Sequence, residues 1–253
     1  MLLPHVRIVL VGTSHPGNIG AAARAMKNMG LTSLHLADPQ APFPSPEASA
    51  RASGADDVLE RASVHRGLGE ALAGCGYALG LSARLRSLPW PVVEPREAAV
   101  RALQKAQAAP VALVFGREKS GLSNDELARC QALVHIPANP DYSSLNLAMA
   151  VQIMTYELRL ASRESLPEST AREDFPPATL EDMEHFYNHL ESAMVGAGFL
   201  NPDNPRHLMR RLRRLYNRAQ PDQNELSILR GILSALAPDA WPPRGRESGG
   251  PAR

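Results

Sequence analysis

Residues 111–157, VALVFGREKSGLSNDELARCQALVHIPANPDYSSLNLAMAVQIMTYE, decide how the rest of the chain is read. Val111–Phe115 is an unbroken apolar run of the kind found in strands covered on both faces. Gly116, Glu118 and Gly121 then mark a tight turn that carries an acid, a short helix follows, and 132–136 reads as a second strand. Beyond a polar loop a long helix begins. Ser143 and Ser144 are placed to cap its bare N–H groups, with Asn146 inside the first turn. Leu147, Ala150, Val151, Met154 and Leu158 recur at the spacing of one buried helix face. Two strand ends and a helix N-terminus therefore converge, and such a place binds a small polar ligand.

Two common nucleotide signatures are excluded by spelling. Gly116 and Gly121 are followed by Leu122 and Ser123, so the lysine of a P-loop is missing, and Lys119 does not replace it. No G-x-G-x-x-G occurs, because Gly12, Gly17 and Gly20 are spaced differently.

Working outward, residues 7–11 form a buried-type strand, 12–20 a loop, and 21–29 a helix stopped by Gly30. Ser33–Ala37 is the next strand, followed by a Pro-rich loop and a short helix at 49–52. A weak strand at 62–65, a helix at 68–73, strand Tyr77–Leu81, an extended segment at 88–91 and a helix at 94–107 complete the approach. Strands alternating with helices predict an α/β fold with a mostly parallel sheet over residues 1–160. Residues 161–178 are polar, charged and Pro-containing, as in a linker. Residues 179–237 hold three helices: Thr179 caps the first, Asn204-Pro205 opens the second, and Asp222 with Glu225 starts the third as a capping box. The tail, 238–253, is rich in Pro, Gly and Arg and is expected to be disordered.

A net charge of +1 over 253 residues marks no general nucleic-acid binder, so any such role must come from local clusters. Cys75 and Cys130 have no metal-like spacing. The first apolar run is too short to span a membrane and leads directly into a strand, so no signal peptide is expected, and a soluble cytoplasmic chain is.

V-F-G-R-E-x-x-G-L, then I-P, then Y-S-S-L-N-L-A-x-A-V, preceded by P-G-N-I-G-A-A-A-R-A-M-K-N-M-G, resembles the SPOUT class of RNA 2′-O-ribose methyltransferases. Within it, the chain is most similar to the bacterial TrmJ-type tRNA enzymes, closely over roughly the first 160 residues and more loosely beyond. The resemblance implies a trefoil knot, a homodimer, S-adenosylmethionine as methyl donor, and a tRNA ribose as acceptor, at nucleotide 32 of the anticodon loop. It also implies roles by position. Arg24 lies nearest the chemistry, Asn18 helps place it or the RNA, and Ser144 faces the ribose or donor. Leu81, Ser82, Ala83, Gly116, Ile136, Ser143, Ser144, Leu145 and Asn146 match the donor-binding loops. Relatives often carry Thr where this chain has Leu81.

A ribose hydroxyl is a poor nucleophile near neutral pH, so its proton must be taken or its developing charge offset. Guanidines hold their protons to a pH of about 12.5 or more. Arg24 is therefore expected to stabilise charge and clamp phosphate or ribose, with Glu118 orienting its planar fork. In the second C-terminal helix Arg206, Arg210, Arg211, Arg213, Arg214 and Arg218 surround an apolar strip of Leu208, Met209, Leu212, Leu215 and Tyr216. RNA contact is expected from Arg206, Arg210, Arg211 and Arg214, and from Arg84 and Arg86 beside the donor loop. His185 and His189 stand four apart with no third ligand, so no metal is expected. A knotted RNA-binding protein without catalysis is the first rival, but it would lack one of Asn18, Arg24, Glu118 and Ser144. The second, a base-methylating enzyme of the same class, would carry an acidic base instead of the Asn and Arg pair.

Overall fold

A computed structural model of the chain describes residues 2–83, 90–163 and 175–237. Seven parallel strands form one sheet: β1 (Val6–Val11), β2 (Ser33–Ala37), β3 (Ser63–His65), β4 (Tyr77–Leu81), β5 (Val92–Val93), β6 (Val111–Phe115) and β7 (Ala132–Val134). Their order is β3-β2-β1-β6-β4-β7-β5. The sheet has two covered faces because alternate residues feed different cores. Ile8, Leu10, Leu113 and Phe115 point into one, with α1 (Pro16–Met29), α5 (Pro95–Lys105) and α7 (Leu147–Ala161). Val9, Val11, Ala112 and Val114 point into the other, with α4 (Leu68–Leu72) and α6 (Asn124–Leu127). The continuous apolar runs are thus consistent with burial on both sides.

The small residues of α1 let it press against α2 (Pro46–Ala52). A Cβ on Gly20 would stand 1.9 Å from the Ala48 carbonyl oxygen, so only glycine permits this approach. A short α3 (Asp56–Glu60), for which periodicity gave no sign, follows α2.

Several boundaries differ from the sequence reading. Helix α1 begins at Pro16, well inside the expected loop, with His15 as its N-cap: the ring Nδ1 accepts from Gly17 N at 3.1 Å. Helix α7 is capped by Asn146, whose Oδ1 accepts from Ala148 N at 2.9 Å, and not by Ser143 or Ser144. It also runs through Ala161, into the expected linker. Strand β7 stops at Val134, leaving Ile136 in the following loop.

The C-terminal helices α8 (Leu180–Gly196), α9 (Leu208–Ala219) and α10 (Gln223–Leu236) enclose their own core of Met183, Phe186, Tyr187, Leu190 and Leu226. Thr179 caps α8 and Asp222 with Glu225 heads a capping box as expected, and Thr179 with Asp182 forms a second box, whereas Asn204-Pro205 lies before α9. Leu215, assigned to the apolar strip, is 47% exposed; the strip follows Met209, Leu212 and Tyr216 instead, matching the helical period. Most of the expected linker and all of the expected disordered tail lie outside the described residues. No helix among the described residues is long and apolar enough to cross a membrane.

Candidate active site

The C-terminal ends of β4, β6 and β7 and the first turn of α7 surround one cleft. Leu81, Ser82, Ala83, Gly116, Ile136, Ser143, Ser144 and Leu145 all line it, so eight of the nine residues matched to donor-binding loops come together. The ninth, Asn146, caps α7 beside it. Phe115, Val134, Leu147 and Ala150 give the cleft an apolar wall, and Glu118, Ser143 and Ser144 give it polar groups.

The turn after β6 is closed by paired backbone bonds, Arg117 N to Gly121 O at 3.2 Å and Gly121 N to Arg117 O at 2.9 Å. It folds back tightly enough that a Cβ on Gly116 would meet the Gly121 carbonyl carbon at 2.2 Å. Arg117 leans over Gly12, whose φ of +58° favours glycine; a Cβ there would stand 2.6 Å from the arginine Nε and push that side chain aside. Its Nη1 donates to both Glu126 oxygens, at 2.9 and 3.0 Å, tying the turn to α6.

Four polar side chains distant in sequence form one directed chain. Asn18 Nδ2 donates to Glu118 Oε1 at 3.0 Å, and Asn146 Nδ2 donates to Asn18 Oδ1 at 3.1 Å. Ser14 adds its hydroxyl, 3.1 Å from Glu118 Oε2, and its backbone N–H, at 3.2 Å. Because Asn146 Oδ1 is occupied by the α7 N-terminus, every amide in the chain has a defined orientation. Partial burial pushes the Glu118 carboxyl up, but the bonds from Asn18 and Ser14 outweigh it and hold the group below the ordinary carboxylate range. Glu118 is therefore an ionised anchor whose acceptor sites are in use.

Within one chain Arg24 stands apart from this group. It is exposed on α1, does not line the cleft, and makes no hydrogen bond or ion pair to another described residue. Within one chain Glu118 does not pair with its guanidinium, its partners being Ser14 and Asn18. Six residues carry the helix about 9 Å along its axis and leave Arg24 about 120° around from Asn18, so one carboxylate cannot hold both. Ser14 was missed. Its signal lay in its position, just past the end of β1 and four residues before Asn18.

The arginines of α9 divide. Arg213 pairs bidentately with Glu184 of α8 and sits over the Tyr187 ring at 4.3 Å, and Arg210 meets Asp125 at 3.0 Å. Arg211 and Arg218 are exposed and Arg214 is half-buried; Arg206, expected in the same helix, is exposed in the turn before α9. Arg84 and Arg86 lie outside the described residues. Among the described residues, no group of three or more His, Cys, Asp or Glu side chains could hold a metal.

A profile described as the SpoU rRNA Methylase family matches residues 5–156. The chain belongs to the SpoU rRNA Methylase family. A second profile, the C-terminal domain of tRNA methyltransferase TrmJ, matches residues 181–245. Among its relatives is the tRNA (cytidine/uridine-2'-O-)-methyltransferase TrmJ of Klebsiella pneumoniae, 50% identical over 93% of this chain and 97% of that one. The protein of the same name from Pectobacterium atrosepticum is 52% identical over 93% and 98%. The crystal structure of TrmJ from Z. mobilis ZM4 superposes with a TM-score of 0.79 at 35% identity, covering 91% of this chain and 98% of that one. The family match spans every element that builds the cleft.

Proposed function

We propose that this SpoU-family chain is a tRNA (cytidine/uridine-2′-O-)-methyltransferase that uses S-adenosylmethionine, working in the cytoplasm on nucleotide 32 of the anticodon loop. The observation that carries this is the convergence of the family's separate motifs on one cleft, in a chain similar along nearly its whole length to proteins bearing that name. An apolar wall beside serine hydroxyls and a helix N-terminus suits a molecule that is half nucleoside and half amino acid. When bound, the donor supplies an activated sulfonium methyl group, so no metal is required.

The chain's own residues position and exclude. Ser143 and Ser144 offer hydroxyls at the cleft, and the Ser14–Glu118–Asn18–Asn146 chain holds the turn after β6 against the start of α7. Arg24 brings positive charge to balance the developing alkoxide, and it does so from a second subunit. Two facts support the homodimer. Arg24 does not reach the cleft of its own chain, and α7, which packs along α1, leaves Met149 62% and Tyr156 48% exposed on the same layer. The knot belongs to the same reading.

Unmodified tRNA incubated with labelled methyl donor, digested and resolved into nucleosides, tests the reaction: label on the sugar is expected, and label on a base ring would replace this reading with the base-methylating one. Mixing inactive Arg24→Ala and Ser144→Ala chains tests the shared site. Recovery of about a quarter of the activity is the expected outcome if half the dimers are mixed and each has one intact site.

A further inference from the structure

Beside the cleft stands a side chain that the network above does not use. Tyr142 closes a 3-10 turn, Pro140–Tyr142, between β7 and α7. The turn is firmly built: Asn139 Oδ1 accepts from Asp141 N at 3.0 Å, and Tyr142 N donates to Asn139 O at 2.9 Å. Tyr142 is nevertheless 81% exposed, the highest value for a large apolar residue among the described residues. Ser143, Ser144 and Leu145, the next three residues, line the cleft, while Tyr142 does not. A rigidly mounted aromatic ring therefore stands outside the mouth, two residues from Ser144.

We infer that Tyr142 is a stacking platform for a nucleobase of the substrate RNA, at or next to the nucleotide whose ribose enters the cleft; this rests on the ribose methyltransferase reading above. A ribose hydroxyl reaches a recessed methyl group only if its nucleotide leaves the stack of its neighbours. An aromatic face at the mouth offsets the lost stacking. The charge pattern selects a base over a phosphate. Asp141, exposed and next to Tyr142 in the chain, repels the backbone, whereas Lys119, exposed and lining the cleft, attracts it. A neutral base face is the partner that both charges permit.

The full-length chain carrying Tyr142→Ala, Tyr142→Leu or Tyr142→Phe is assayed on unmodified tRNA, with donor affinity read by calorimetry and mass by light scattering. Alanine and leucine are expected to lower kcat/KM for tRNA about 5- to 150-fold, mostly through KM. Donor affinity and mass stay at their wild-type values. Phenylalanine, which keeps the π face, is expected to rescue kcat/KM to within about two-fold of wild type. A leucine variant equal to phenylalanine would overturn stacking in favour of simple apolar contact. A fall in donor affinity would place the ring in the donor site, and a fall in mass would place it in a subunit interface; either overturns the proposal. Wild-type chain that puts no methyl on ribose would remove the underlying reading whatever Tyr142 does.

Discussion

The cleft above the sheet and the seam between the sheet and the helical bundle are both held by polar side chains, but by different physics. At the cleft, Ser14, just after β1, and Asn18 of α1 donate to the single carboxylate of Glu118, and Asn146 at the cap of α7 donates in turn to Asn18. At the seam, Glu184 holds Arg213 and approaches Arg129 at 3.5 Å, Arg210 meets Asp125, and buried Asn217 donates to the Ala128 and Cys130 carbonyls at 3.1 and 3.3 Å. An anchor made of neutral donors leaves nearby charge available to a substrate. A seam made of ion pairs consumes it. The arginines of α9 therefore cannot be counted together as an RNA surface.

The largest effect separating the two regions is expected from Gly116→Ala. Its Cβ would fall 2.2 Å from the backbone of Gly121, a contact no rotamer relieves, so the turn must open. Destabilisation of about 3 kcal/mol or more is expected, with donor binding abolished, as read by thermal unfolding and calorimetry. Next comes Glu118→Gln. One oxygen would remain for three donors, and the amide would point its own N–H groups at the rest. Misplacing the α7 start is expected to lower kcat/KM about 100-fold. The pH dependence follows in sign. The folded Glu118 carboxyl lies below its ordinary value, so its contribution to stability is present above the unfolded value and is lost as pH falls through the folded one. Glu118→Gln should flatten that acid limb of the stability curve, and an unchanged limb would mean that Glu118 is not the anchor.

How much of this was legible follows from where the signals sit. The strands of the sheet were readable because burial on both faces leaves unbroken apolar runs, as in Val111–Phe115. The start of α1 was not, since histidine is an unusual cap, although Pro16 at the first helical position was a fair sign. The capping of α7 was misread for a conformational reason. The 3-10 turn leaves Ser143 at φ −87°, ψ −8°, an αR geometry in which it does not cap α7, while Asn146 at ψ 145° has the extended backbone of a cap. The site's membership came from motif matching. Its wiring did not, because Asn18 and Glu118 are 100 residues apart, and helical geometry alone separates Arg24 from Asn18. The partners of Arg210 and Arg213 lie 85 and 29 residues away, beyond any local pattern of charge.

The seam gives the smaller contrasts. Arg213 and Glu184 are 17% and 25% exposed, and the guanidinium also covers Tyr187. Arg213→Ala should cost about 2 kcal/mol of stability, because it strands a largely buried carboxylate, with little change in donor affinity. Arg211→Ala sharpens the comparison at its lower limit. Arg211 is exposed on the same helix, and its neighbour Arg210 is already engaged by Asp125. If it meets an RNA phosphate, its loss leaves the unfolding midpoint unchanged and lowers the slope of log K against log salt by about 0.7–0.9. If Arg211→Ala shifted the midpoint as Arg213→Ala does, the division of α9 into structural and RNA-facing arginines would fail. An unchanged slope with an unchanged midpoint would leave α9 as scaffold, and the grip on tRNA would then have to come from the sheet domain.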